Sequence, residues 1–234
     1  KAKFELLANG VTKVTVTIAR IITGLLFIFS GLVRAIDPRG LAYKMEEFFE
    51  VWGQSGFLKG LMDNLMHYSL AFSISMITLE VVLGLALLIG WKKKITSWLI
   101  LMLILFFTFL TAFVLFSGKI RACGCFGDCI PLTPVQTFSK DIILLVLAII
   151  LVVWSGYIKP VAKPFFSFLY VAIALAATLA LQFYVLKHLP LVDCLPYKKG
   201  NDILKLREMP ADAIQDKYDY VFVYEKGGEK KDFQ

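Results

Sequence analysis

The chain has 234 residues, 58% of them hydrophobic, a mean hydropathy of +0.72 and a formal net charge of +7. Soluble domains are about 45–50% apolar, so the composition excludes an ordinary globular protein. The lysines fall at the ends of apolar runs, where they orient a chain in a membrane, so the charge reads as topology and excludes nucleic acid as a partner.

Five runs are long enough to cross a hydrocarbon core of roughly 30 Å: Ile18–Ile36, Tyr68–Gly90, Ile95–Ser117, Ile142–Ile158 and Phe165–Leu186. Backbone groups in lipid must bond within their own segment, which predicts helices. The alternation of a membrane β-barrel is missing. The first run carries Arg20 and Arg34 near its ends and has no small-residue cleavage site, so it reads as a retained helix and not a secretory signal. Pro38 and Gly40 break it. Leu41, Met45, Phe48, Phe49 and Trp52 then recur on one helical face, with Lys44, Glu46, Glu47 and Glu50 opposite. Such a helix either lies on the membrane surface or packs over the ends of the bundle.

The second run contains Glu80, the one charge near the middle of any span. An ionisable group at that depth is expensive and reads as functional. A protonated Glu80 bonded to Ser73, Thr78 or a neighbouring helix is the structural alternative. Gly24, Ser30, Gly31 and Gly84 would let helices approach closely. Lys140 and Asp141 read as the start of the fourth helix, where the dipole alone favours an acid, and receive no catalytic role. Gln182 and His188 flank the outer end of the fifth helix as further candidate donors to a head group.

Past Leu186 the chain turns polar. Pro190, Pro196 and Gly200 interrupt it, and the alternation over Tyr218–Tyr224 leads into Glu-Lys-Gly-Gly-Glu, a hairpin signal. A chain that starts without Met and ends inside a hairpin is expected to be a piece of a longer protein. The expected organisation is a four-helix bundle over residues 1–160, a fifth transmembrane helix over 161–188, and the start of a small β-containing domain over 189–234.

The N-terminal segment with Lys1, Lys3, Lys13 and Arg20, the Trp91–Lys94 connection and the Ile158–Pro164 connection share one side if every run spans. Their positive charge places that side in the cytoplasm, the N-terminus with it and the C-terminus outside. Cys123, Cys125, Cys129 and Cys194 then all lie outside, where disulfides persist. The charge and the thiols agree independently on this orientation.

Three of those cysteines lie in Arg121-Ala-Cys-Gly-Cys-Phe-Gly-Asp-Cys129, between the third and fourth runs. Cα atoms two residues apart are roughly 5.5–7 Å from each other, the upper end of disulfide reach. Gly124 can relieve the small ring. A Cys123–Cys125 bridge would be strained and easily reduced, which suits a catalytic pair. Lys119 and Arg121 favour thiolate, and Asp128 opposes it. Four cysteines allow three pairings. The preferred one joins Cys123 to Cys125 and Cys129 to Cys194, with exchange between the pairs as a relay. Arg34 is placed at the depth of this loop, where it would stabilise a thiolate or a reduced quinone oxygen; a lipid-phosphate contact is the alternative. Cys-x-Cys is too tight for a typical zinc site, His67 and His188 are unpaired, and iron–sulfur spacings are missing, so no metal is expected.

The residues Arg20-x₃-Gly-Leu-Leu-Phe-Ile-Phe-Ser-Gly-Leu-Val-Arg34, and Glu80-x₃-Gly84 followed by Gly90, resemble the DoxX-like membrane proteins. Cys-Gly-Cys-Phe-Gly between helices three and four is similar to the redox-associated branch containing MauE. The resemblance covers about residues 14–160, and the added fifth helix and tail resemble the version found in Bacteroidetes. It implies an all-α integral membrane protein with a four-helix DoxX-like bundle, similar in layout to DsbB and vitamin K epoxide reductase, that supports disulfide formation in periplasmic partners alongside thioredoxin-like companions. A membrane quinone as electron acceptor comes from the same resemblance. The sequence departs from DsbB in having Cys-x-Cys and in splitting its second pair between a loop and the far side of helix five.

The expected function is therefore a thiol–disulfide oxidoreductase of the bacterial inner membrane, surrounded by lipid, with Cys123, Cys125, Cys129 and Cys194 as redox residues and Arg121, Arg34 and Glu80 in support. A periplasmic thioredoxin-like or disulfide-containing protein would be its partner, with other subunits of a membrane complex alongside. Two alternatives stand beside it: a non-enzymatic scaffold with structural disulfides, and a small transporter using Glu80, which the lack of broken helices and repeats disfavours.

Overall fold

The structure, a computed structural model, describes residues 2–54, 59–118, 120, 132–188, 190–192, 200–207, 222–226 and 229–233. The chain divides into two units, Lys1–Cys194 and Leu195–Gln234. The first holds α1 (Ala2–Ala35), α2 (Pro38–Gly53), α3 (Lys59–His67), α4 (Ser69–Ile89), α5 (Lys93–Ser117), α6 (Pro134–Val153), a 3₁₀ turn (Ser155–Tyr157) and α7 (Pro164–Lys187). Five of these helices, α1, α4, α5, α6 and α7, are long and apolar enough to cross a membrane. In the second unit, α8 (Ile203–Arg207) is followed by β1 (Phe222–Lys226) and β2 (Glu229–Phe233), paired antiparallel with Phe222 opposite Phe233.

Small residues decide how closely α1 meets α4. A Cβ on Gly24 would sit 2.6 Å from Leu88, and one on Gly84 would sit 2.9 Å from the Gly24 carbonyl oxygen. A Cβ on Gly31 would meet Val81 at 2.6 Å. Helices in lipid gain little from hydrophobic exclusion, so this backbone approach supplies the packing that holds them together.

At one end of the bundle Arg20 closes the joint. Its guanidinium donates to the Leu87 and Leu88 carbonyls at the C-terminus of α4 and, at 2.8 Å, to the Lys159 carbonyl beyond α6. Gly90, at φ +77°, ends α4 in the left-handed conformation. Lys93 donates to the Gly156 and Ile158 carbonyls. The connections after α4 and after α6 therefore meet at the same, lysine-bearing end. The segment carrying Cys123, Cys125 and Cys129 leaves from the opposite end, where α5 finishes and α6 starts.

The fourth span begins eight residues before the expected Ile142. Thr133 and Gln136 form a reciprocal capping box, and Pro134 occupies the first turn. Both devices fix a helix start ahead of any apolar residue. Lys140 and Asp141 are consequently the seventh and eighth residues of α6, about two turns in, and do not start the helix.

The amphipathic segment packs against protein. Asp37 caps α2 by accepting from the Gly40 N–H, and the Pro38 carbonyl accepts from Ser73 at 2.7 Å. Phe48 is fully buried, with ring centroids 5.5 Å from Trp52 and 6.1 Å from Phe113. Trp52 lies 5.7 Å from both Phe109 and Phe113, and Phe49 lies 6.0 Å from Phe72. α2 thus crosses the first turn of α4 and the last turns of α5, at the cysteine-bearing end.

The fifth span, α7, packs on α4. Gln182 is buried there and donates to Thr78 at 2.9 Å, so it sits between helices and is no head-group donor. Much of α7, including Phe165, Phe168, Ile173 and Phe183, stays exposed as a lipid-facing surface.

Candidate functional site

Where Gly31 lets α1 touch α4, two buried charges meet. Arg34, in the last turn of α1, is 3% exposed, and Glu80, midway along α4, is 2% exposed. Arg34 Nη1 stands 3.1 Å from Glu80 Oε2. Arg34 Nη2 donates to Ser30 Oγ at 3.2 Å, and the guanidinium carbon lies 4.6 Å from the centre of the Phe107 ring. The ring face attracts the cation, so Arg34 is held from α1, α4 and α5 at once. It is not at a lipid phosphate. Glu80 finds its partner in Arg34; Ser73 bonds Pro38, and Thr78 bonds Ile74 and Gln182.

A second pair lies beside the first. Asp141 is 3% exposed; its Oδ1 stands 3.0 Å from Lys140 Nζ, and its Oδ2 accepts from Thr111 Oγ1 at 3.0 Å. Lys140 is partly exposed. Ser30, Arg34, Glu80, Lys140 and Asp141 line one cavity, with Phe27, Ile104 and Phe107 among its apolar walls. The cavity measures about 20 Å³, room for a single water molecule. Its charges sum to zero, two of each sign, which makes their burial tolerable in a membrane.

The helices give this cluster a depth. Thr111 is six residues short of the end of α5, and Asp141 is seven residues past the start of α6. At 1.5 Å per residue the Thr111–Asp141 bond lies roughly 10 Å inside the end from which the cysteine-bearing segment leaves. Glu80 is eleven residues into α4, roughly 16 Å in. By this measure Asp141 lies nearer that end than Glu80.

Cys123, Cys125, Cys129, Cys194 and Arg121 lie outside the described residues. Among the described residues no group of three or more His, Cys, Asp and Glu side chains could hold a metal ion. Sequence reasoning singled out Arg34 and Glu80 separately, gave Lys140 and Asp141 no catalytic role, read Ser30 as a packing residue, and passed over Thr111 and Phe107. Thr133-Pro134-Val135-Gln136 was the available signal: read as a capped helix start, it puts Asp141 two turns inside a span.

Over residues 12–155 the sequence matches the family of methylamine utilisation protein MauE. The chain belongs to the MauE family. The matched stretch contains Arg34, Glu80, Lys140 and Asp141 as well as Cys123, Cys125 and Cys129, and it ends before α7 and Cys194. Neither a curated protein nor a solved structure matches the chain. Five apolar helices and MauE-family membership make it a multi-pass membrane protein.

Proposed function

We propose that this MauE-family protein is a thiol–disulfide oxidoreductase of the bacterial inner membrane, passing electrons between periplasmic protein thiols and a membrane quinone. One observation carries the reading: a Cys-Gly-Cys segment joins α5 to α6, and a compensated cluster of buried charge lies roughly 10 Å inside the ends of those same two helices. Purely structural disulfides would have no use for ionisable groups at that depth. The meeting of the Lys93, Lys159 and Arg20 connections at the other end supports an N-terminus in the cytoplasm and cysteines outside.

In the oxidising direction a partner thiolate attacks the Cys123–Cys125 disulfide, forming a mixed disulfide and releasing one cysteine thiolate. The partner's second thiolate resolves it, leaving the partner oxidised and Cys123 and Cys125 reduced. Cys129 and Cys194 form a second pair that relays the exchange toward the partner, and Arg121 favours thiolate beside the first pair. A thioredoxin-like or disulfide-containing protein is the class of partner, and other membrane subunits can dock on the outer face. A quinone reoxidises the dithiol by taking two electrons and two protons. The transporter reading is the less supported alternative, because Arg34 stands 3.1 Å from Glu80 and the cavity they line has room for about one water.

The test is thiol state. The purified protein is reduced, mixed with a soluble quinone and alkylated at intervals. Cys123 and Cys125 should become protected from alkylation only with quinone, and a Cys125→Ser variant should trap a partner on Cys123. Persistent alkylation with quinone present, and no trapped partner, leaves the scaffold reading.

A further inference from the structure

A buried ion pair that only fastens helices is an uneconomical device, because apolar side chains of the same volume hold as well or better. Here one such pair, Arg34 and Glu80 between α1 and α4, and a second, partly exposed pair on α6, Lys140 and Asp141, border one cavity of water size. A water in that space needs two to four polar partners, and five polar side chains line it. Arg34 stays protonated at any working pH. Glu80 and Asp141 are the two carboxylates of the cluster, and both line the same water-sized space. α5 adds Thr111, Ile104 and Phe107 and no charge, and α1, α4 and α6 add Arg34, Glu80, Lys140 and Asp141.

We propose that Asp141 and Glu80, bridged by one water, form an intramembrane proton-transfer site, with Asp141 as its outer member and Glu80 as its inner one. The partly exposed Lys140 marks the mouth, and Thr111 holds Asp141 in place by a bond that either protonation state accommodates. The cluster is neutral with both acids ionised and gains one positive charge when either is protonated. This role rests on the oxidoreductase reading. Joining two thiols in a disulfide releases two protons with the two electrons, and reducing a quinone to hydroquinone consumes both. The site accepts protons from the thiol side and hands them inward one at a time, changing its own protonation between the reduced and oxidised states and returning to its start over a complete turnover.

Infrared difference spectroscopy on the protein in nanodiscs tests this. Stepping between reduced and oxidised thiols should produce a carboxylic C=O band that shifts in D₂O. Glu80→Gln and Asp141→Asn should each remove part of it, and Asp141→Asn should slow thiol oxidation by quinone on the order of 100-fold. Because either variant leaves a cation unmatched, each is paired with its partner, as E80Q/R34Q and D141N/K140Q. Full oxidation rates in folded double variants, or a wild-type protein with no such band, overturn the proton site while leaving the oxidoreductase intact. A band that titrates in a protein whose thiols ignore quinone keeps the proton site and removes the oxidoreductase.

Discussion

Arg34 and Glu80 sit 3.1 Å apart between α1 and α4, where Gly31 brings those helices into contact. Removing one member leaves the other as an unmatched buried charge, which costs about 3–5 kcal/mol, whereas replacing both with apolar groups is often neutral. Arg34→Met alone should therefore sharply lower the thermal midpoint in detergent. The double variant Arg34→Met/Glu80→Leu should recover most of the loss. Equal midpoints for the single and double variants would show that the two charges are not coupled.

Arg20 serves three carbonyls with one planar fork. A lysine has a single charged nitrogen in place of that fork. Arg20→Lys should destabilise by about 1 kcal/mol, close to the effect of Arg20→Gln, because the partly buried Leu87 and Leu88 carbonyls lose their fork of donors in both. Denaturant unfolding of the two variants decides it. A lysine variant as stable as wild type would mean that charge alone matters at that end.

Gly24, Gly31 and Gly10 differ in what surrounds them. A side chain on Gly24 or Gly31 collides with Leu88 or Val81, while Gly10 has nothing within 4 Å. Gly24→Leu and Gly31→Val should give aggregated or poorly expressed protein, and Gly10→Ala should behave like wild type. Size-exclusion profiles of the three variants are sufficient to read this.

The α2 rings form the next weak point. Phe48 is fully buried and Tyr43 on the same helix is exposed. Phe48→Ala should cost about 3–5 kcal/mol, and Tyr43→Ala should stay within about 0.5 kcal/mol. Two similar thermal midpoints would mean that α2 does not pack as a fixed part of the bundle.

The five spans were legible because length and hydropathy alone specify a membrane helix. The start of α6 was not, since Lys140 and Asp141 look like an end to the apolar run until Thr111 on another helix is seen to receive the acid. The α2 pattern of Leu41, Met45, Phe48, Phe49 and Trp52 suits a lipid surface as well as a protein one; only the rings of Phe72, Phe109 and Phe113 choose between them. Arg34 and Glu80 stood out singly because each is odd in its own run. Their pairing depends on a helix crossing that no local pattern encodes. Gln182 read as a surface donor because it lies near the end of α7, and Thr78 makes it internal.

The placement of the two ion pairs along the chain also bears on how the protein enters its membrane. A lone charge of this kind near a helix centre opposes insertion by about 2.5–3.5 kcal/mol. Lys140 and Asp141 are neighbours on one helix and enter already matched. Glu80 belongs to a later helix than its partner, so Arg34 is in place before α4 emerges. Synthesis order thus presents each acid to a waiting cation. A circular permutation that moved α1 behind α4 would reverse that order while leaving every native contact available to the finished fold.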